Sequence, residues 1–227
     1  LTTTSTIVNA DSYAIEGAAE ENSTITITGG LATATGTTIG GNFSISVNLT
    51  QNATNTLSVT AKDASNNISS SSVVVIVEDS TPPAITVTGT NPETIEVFSS
   101  YTDGGATAMD SQAGDLTASI SSSSDVNTGI KGFYSVLYSV GDAAGNIGTS
   151  SRAVDVVDTT LPTLMITGSS TLTIEVGSAY EDAGATANDN YDNDITGSIV
   201  ATSTVDANVL GTYFVDYSVR DSSNNLA

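Results

Sequence analysis

Residues 101–110 read YTDGGATAMD, and residues 180–189 read YEDAGATAND. Tyr, Asp, Gly, Ala, Thr, Ala and Asp recur at one offset, 79 positions. Carried outward, that offset lays residues 79–148 on 158–227 without a gap, and about 31 of the 70 pairs are identical. Asp79, Pro83 and Gly89 fall on Asp158, Pro162 and Gly168, and Tyr134, Tyr138, Asp142 and Asn146 fall on Tyr213, Tyr217, Asp221 and Asn225. The first 79 residues are a more distant copy. Their KDASNN segment places Asp63 and Asn67 79 positions before Asp142 and Asn146. A period of this size signals an array of modules. It predicts three, at 1–79, 80–158 and 159–227. The stretch IGTSSRAVDVV, which carries the second copy from Asn146 to Asp158, has no counterpart after Asn225, so the third is read as lacking its final strand.

Within each copy the apolar residues alternate with period 2, the pattern of half-buried strands. ITITGG from Ile25, FSISVNL from Phe43, TLSVTA from Thr56, VVVIV from Val73, AITVTG from Ala84, TIEVF from Thr94, FYSVLYSV from Phe133 and AVDVV from Ala153 are the clearest. In the third copy GATA and ITGSI read as neighbouring strands. Gly, Asn, Asp and Ser clusters separate them, which is turn chemistry. Short strands at this density predict an all-β protein of three tandem immunoglobulin-like β-sandwich modules. Pro82, Pro83 and Pro162 stiffen links of only a few residues, which predicts a semi-rigid rod.

Composition narrows the chemistry. The chain has 25 acidic and 4 basic residues, no His, Cys or Trp, and a formal net charge of −21. A Cys–His nucleophile pair and a Cys/His zinc site are impossible. Four cations cannot neutralise a run of phosphates, so nucleic acid is excluded as a partner. No apolar run approaches the length of a membrane span, which predicts no membrane insertion. Few lysines suit a protease-exposed extracellular surface, and equally a high-salt habitat. Leu1 opens directly on Thr2, Thr3 and Thr4 with no charged leader, so the segment is read as processed or cut from something longer.

Residues 79–227 resemble the bacterial Ig-like repeats of large surface adhesins, a type also appended to pesticidal crystal toxins. The resemblance rests on IEVFSSYTDGGATAMD, AGDLT, GFYSVLYSVGD and AAGN in the second copy. In the third it rests on IEVGSAYEDAGATAND, DNDIT, GTYFVDYSVRD and SSNN. Phe98 and Asn224 depart from the pattern, which has Gly at both places. The first copy, with AIEGAAEENSTITITGG, is similar to a related bacterial Ig-like type. The resemblance implies an extracellular, cell-surface spacer or adhesive module without enzymatic activity.

Placed on such a sandwich, acids distant in sequence converge where one copy meets the next. At the second link these are Asp158, the loop acids Asp189, Asp192 and Asp194, and Asp221 with Asn225. At the first link they are Asp79, Asp110, Asp115, Asp142 and Asn146. Several carboxylates so close repel unless a cation sits among them. All-oxygen ligands suit Ca²⁺, with its six to eight oxygens, rather than a transition metal. The competing reading is that Asp and Asn are ordinary turn residues capping their own backbone. Asp110/Asp115 and Asp189/Asp194 also have the look of acid–base pairs for glycoside chemistry, though a duplicated loop without a cleft argues against it. Glu96 and Glu175 are placed at the exit poles, facing water or the next link. The repeated tyrosines at 101, 134, 138, 180, 213 and 217 are read as core or corner residues, and Tyr191 as a candidate sugar platform.

The reading is therefore a non-enzymatic stalk of a surface adhesin. Its partners are neighbouring modules or other copies of the protein, with any host ligand bound by domains not present here. The alternative is a filament subunit, in which Leu1–Ala10 donates a strand to the open edge of the third copy.

Overall fold

A computed structural model describes residues 1–227. In the first copy, β1 (Thr6–Val8), β2 (Ser12–Ala18), β3 (Thr24–Thr28), β4 (Ala34–Thr37), β5 (Asn42–Asn48), β6 (Ala53–Lys62) and β7 (Ser72–Glu78) form two sheets, ordered β1-β7-β6-β3-β4 and β2-β5. Alternation dictates what lies between them. Ile25, Ile27, Leu57, Val74 and Ile76 from the larger sheet meet Ile15, Phe43 and Val47 from the smaller, all buried. The same alternation puts Glu78, next in the Val74–Ile76 series, on the inner face, where it is wholly buried.

The second copy comprises β8 (Ala84–Val87), β9 (Glu93–Glu96), β10 (Ala106–Asp110), β11 (Gly114–Asp115), β12 (Ser121–Ser124), β13 (Gly132–Gly141) and β14 (Ile147–Val157), in sheets β11-β10-β8 and β12-β13-β14-β9. The third comprises β15 (Thr163–Ile166), β16 (Ala185–Asp189), β17 (Asn193–Asp194), β18 (Val200–Ser203) and β19 (Val215–Ser218), in sheets β15-β16-β17 and β18-β19. The protein is all-β, with two single-turn 3₁₀ helices, Thr117–Ser119 and Thr196–Ser198.

One expectation changes. The ITGSI segment, Ile195–Ile199, is not a strand but holds the second 3₁₀ turn. Asp194 Oδ1 accepts the Thr196 N–H at 3.0 Å, and Thr196 Oγ1 accepts the Ala187 N–H at 3.0 Å, which bends the chain before β18 starts. Part of the segment that a filament would donate forms β1. β1 runs parallel to β7 in the register Thr6↔Ile76, and the Thr2 amide donates to the Glu16 carbonyl.

By density of contacts the chain divides into two compact units. One is Leu1–Asn91 with Asp103–Asp125 and Ser135–Arg152; the other is Pro92–Thr102 with Val126–Tyr134 and Ala153–Ala227. Each link between copies, with its acidic residues, falls inside a single unit. The second copy also contains a buried cation. Arg152 is 1% exposed, its Nε donates to Asp103 Oδ1 at 2.9 Å, and its terminal nitrogens donate to the Thr88 and Thr90 carbonyls. Tyr138 donates to the same Asp103 oxygen at 2.7 Å. Removing one partner of such a pair leaves the other uncompensated. Arg152→Met is expected to lower stability by about 3 kcal/mol in urea denaturation; a loss within ordinary surface-mutation scatter would show that the guanidinium contributes little.

Candidate metal centres

The sites begin with a five-residue loop used three times. In Asp142–Asn146, between β13 and β14, Asp142 Oδ1 accepts the N–H groups of Ala144 and Asn146, both at 2.9 Å, and Oδ2 accepts Asn146 Nδ2 at 2.8 Å. Asp63 and Asp221 make the same three bonds with Ser65 and Asn67 and with Ser223 and Asn225. The residue before each Asn has positive φ: Asn66 (68°), Gly145 (90°) and Asn224 (70°). This is why Asn224 can stand where the family pattern has Gly, since Asn tolerates that region better than most residues.

The loop also grips the link that feeds its own copy. Asn146 Nδ2 donates to the Asp79 carbonyl at 2.9 Å, and Asn225 Nδ2 to the Asp158 carbonyl at 3.0 Å. The two asparagines thus position the link aspartates, and Asn146 Oδ1 is taken by Asn9 Nδ2.

A second element closes each site. At the end of β10, Asp110 Oδ1 accepts the N–H groups of Gln112 and Ala113, at 2.8 and 2.7 Å. At the end of β16, Asp189 Oδ2 accepts those of Tyr191 and Asp192, at 2.8 and 2.9 Å. The other oxygens, Asp110 Oδ2 and Asp189 Oδ1, are buried without any hydrogen-bond partner. Asp110 is 7% and Asp189 3% exposed. Asp79, Asp110 and Asp142 bring one oxygen each within 4.8 Å of one another, and so do Asp158, Asp189 and Asp192. Two carboxylates at such a separation repel by about 3 kcal/mol at an effective dielectric constant near 20. Burial, with the charges of Asp110, Asp142 and Glu78 around it, raises the Asp79 carboxyl above its usual range. Burial raises Asp158 likewise, with the charges of Asp189 and Asp221 adding to it.

The structure sorts the other acids. Asp221 is not within the close group of three, although its charge bears on Asp158. Asp115 and Asp194 stand outside both groups, exposed, each accepting the N–H that opens a 3₁₀ turn. The side chains and then the amides of Thr117 and Thr196 hold the two carboxyls below the ordinary range, the opposite of what a glycosidic general acid needs. Glu175 is exposed and lies in no strand. Glu96 is bonded to the second link, accepting from the amides and hydroxyls of Thr159 and Thr160 at 2.7–3.2 Å.

Tyr134 and Tyr213 are corner residues, donating to the carbonyls of Ile130 and Val209 four positions back. Tyr191 packs against the Val97, Val154 and Val156 cluster with its ring 6.0 Å from Phe98. It is engaged within the protein rather than displayed as a sugar platform. Phe98 has φ of 63° where the matching Gly177 has 79°; the left-handed backbone that favours Gly is kept, and its ring meets Tyr191. Two residues escaped the sequence reading: Glu78, which alternation along β7 could have found, and Lys131, whose Nζ lies 3.8 Å from Asp158 Oδ2.

The donor set fits a hard divalent cation. It offers carboxylate oxygen with no nitrogen or sulfur, like charges that are largely buried, and in each group a residue with one carboxylate oxygen that has no other partner. Bound there, Ca²⁺ would be held by Asp79, Asp110 and Asp142, and by Asp158, Asp189 and Asp192.

Comparison with known proteins agrees with the fold. The family described as "Bacterial surface protein, Ig-like domain" matches residues 85–156 and 164–227, and that described as "Bacterial Ig domain" matches residues 2–79. The chain belongs to the bacterial surface Ig-like proteins. No curated protein matches it. Among solved structures it is similar to the lipoprotein BT2262 of Bacteroides thetaiotaomicron, at 23% identity and TM-score 0.31 over 34% of this chain and 39% of that one. It is similar to the fibronectin(III)-like modules of Clostridium thermocellum CbhA, at 12% identity and TM-score 0.36 over 69% of this chain and 92% of that one. A third is the Ca²⁺-stabilized adhesin with which an Antarctic bacterium binds ice, at 13% identity and TM-score 0.35 over 97% of this chain and 68% of that one. The chain thus spans less than half the length of the lipoprotein.

The Glu96 contacts carry a pH dependence. Burial acts to raise this carboxyl, but the bonds from Thr159 and Thr160 outweigh it and hold the group below its ordinary 4.5. A depressed carboxyl contributes stability above its unfolded pKa and loses it as pH falls through the folded one. Glu96→Gln is therefore expected to cost about 1 kcal/mol at pH 7, a figure discounted for solvent screening. The gap to the unsubstituted protein should close as the pH drops below 4.5, followed by thermal melting across the acid range.

Proposed function

We propose that this chain is a non-enzymatic extracellular spacer of a bacterial surface adhesin. Its three Ig-like modules, 1–79, 80–158 and 159–227, bind one Ca²⁺ at each of the two links. The observation that carries the reading is that Asp110 Oδ2 and Asp189 Oδ1, at matching positions, are buried and unpartnered in residues that belong to the two carboxylate groups. A buried polar atom left unpaired costs about 1–3 kcal/mol, more when charged, so one standing at the same place in two copies asks for an occupant. Ca²⁺ neutralises the group and joins a link aspartate to a loop of the following module, which restricts the angle between neighbours. An adhesive domain elsewhere in the protein would be held out from the cell by such a stalk. The even acidity keeps crowded stalks apart.

A filament assembled by strand donation has less to stand on. Within the segment it would donate, Leu1–Ala10, residues Thr6–Val8 are paired with β7 of their own sandwich.

Calcium titration of the intact chain is expected to show two binding events. Saturating Ca²⁺ should raise the melting temperature by about 5 °C or more over chelator. Asp110→Asn should remove one event and Asp189→Asn the other, while each raises the melting temperature in chelator by relieving repulsion. Superimposable melts with and without calcium, and no binding heat, would leave the clusters as solvated turns.

A further inference from the structure

The two sites differ in a way that bears on the calcium reading and rests on it. Asp79, Asp110 and Asp142 correspond, 79 positions on, to Asp158, Asp189 and Asp221. Two further positions change together. Ala113 of the first site becomes Asp192 in the second, which adds a negative charge. Asn52 of the first link becomes Lys131 at the second, which adds a positive one.

The exchange is built into the loops. Asn52 lies just before β6, and its Oδ1 accepts from the Ser80 amide at 3.0 Å and the Thr81 hydroxyl at 2.7 Å. Lys131, just before β13, reaches the matching link. Its Nζ donates to Ser222 Oγ and Ser223 Oγ at 2.7 and 2.5 Å, and lies 3.8 Å from Asp158 Oδ2 and 4.4 Å from the centroid of the Tyr191 ring. The hydroxyls that receive it stand where the first site has Ala143 and Ala144. Asp192 in turn accepts the Ser222 amide at 2.7 Å, so acid, base and acceptor loop are one connected group. The first site has no such cation. Lys62 ends β6 at the far end from Ala53, Arg152 is tied to Asp103, and Arg220 donates to the Asn224 carbonyl in the third copy.

We propose that Lys131 Nζ is a resident counter-cation of the second site, balancing the added Asp192. The ammonium holds the second link together without metal and limits how tightly that site takes a divalent cation.

Calorimetric titration of the whole chain with Ca²⁺ alone tests this, the second event being the one lost in Asp189→Asn. Lys131→Gln keeps a donor for Ser222 and Ser223 but removes the charge. It is expected to tighten the second event about tenfold or more, leave the first unchanged, and lower the melting temperature in chelator. Asp192→Asn, which removes a ligand and also leaves the ammonium in excess, should weaken the second event, and adding Lys131→Gln to it should recover part of that loss. An unchanged second event in Lys131→Gln, with Asp189→Asn still abolishing it, overturns the role of the ammonium and leaves the calcium sites standing. Absence of binding in every variant overturns both.

Discussion

Like charges gathered in a buried place must be neutralised, separated or bonded, and the two links of this protein are organised by that requirement. Each link Asp is held by its backbone carbonyl through an Asn amide, so its carboxyl has little freedom to swing to water. The facing aspartate uses one oxygen to cap a β-hairpin and turns the other inward. Neither arrangement relieves the repulsion. They fix the acids where it is felt, and the carboxyls of Asp79 and Asp158 are raised first by burial and then by their charged neighbours.

The rest of each link compensates with local, neutral or cationic bonding. At the first, Asn52 supplies a carboxamide oxygen to Ser80 and Thr81, and its carbonyl takes Gln112 Nε2 at 2.8 Å. At the second, Glu96 receives Thr159 and Thr160 from one direction and Lys131 bonds Ser222 and Ser223 from another. Phe98 adds an apolar contact there by keeping a backbone conformation that costs a non-glycine residue about 1 kcal/mol or more. The matching position of the third copy is Gly177, which has no ring to offer.

The fold was largely legible because alternation and repetition are both sequence properties. The offset of 79 aligns the copies within the sequence, and period 2 found β3, β5, β6, β7, β13 and β14. It missed β12, whose Ser121–Ser124 carry no apolar residue and become a strand only by pairing with β13. It misread Ile195–Ile199, where side-chain bonds from Asp194 and Thr196 outcompete strand pairing. Residues 172–175, which match β9 in sequence, form no strand; β9 exists through its parallel pairing with Val154–Val157 of β14, and no residues of this sequence match those in the third copy. A strand at that position belongs to the partner as much as to its own residues.

The candidate sites were half legible for a different reason. Asp79, Asp110 and Asp142, with Asp158, Asp189 and Asp192, could be grouped by mapping loops onto a sandwich, because topology alone brings those loops together. Topology does not say which way a carboxyl turns. Asp115 and Asp194 sit five residues from Asp110 and Asp189, yet their oxygens are claimed by Thr117 and Thr196. Lys131 was invisible for the converse reason. It belongs to a loop at the exit end of the second copy, and only the meeting of that end with the third copy's Asp221–Asn225 loop gives its charge a function. Where copies of one fold are joined in series, chemistry therefore arises from paired differences across a link. Ala113 to Asp192, Asn52 to Lys131, and Ala143 and Ala144 to Ser222 and Ser223 have meaning only when taken together.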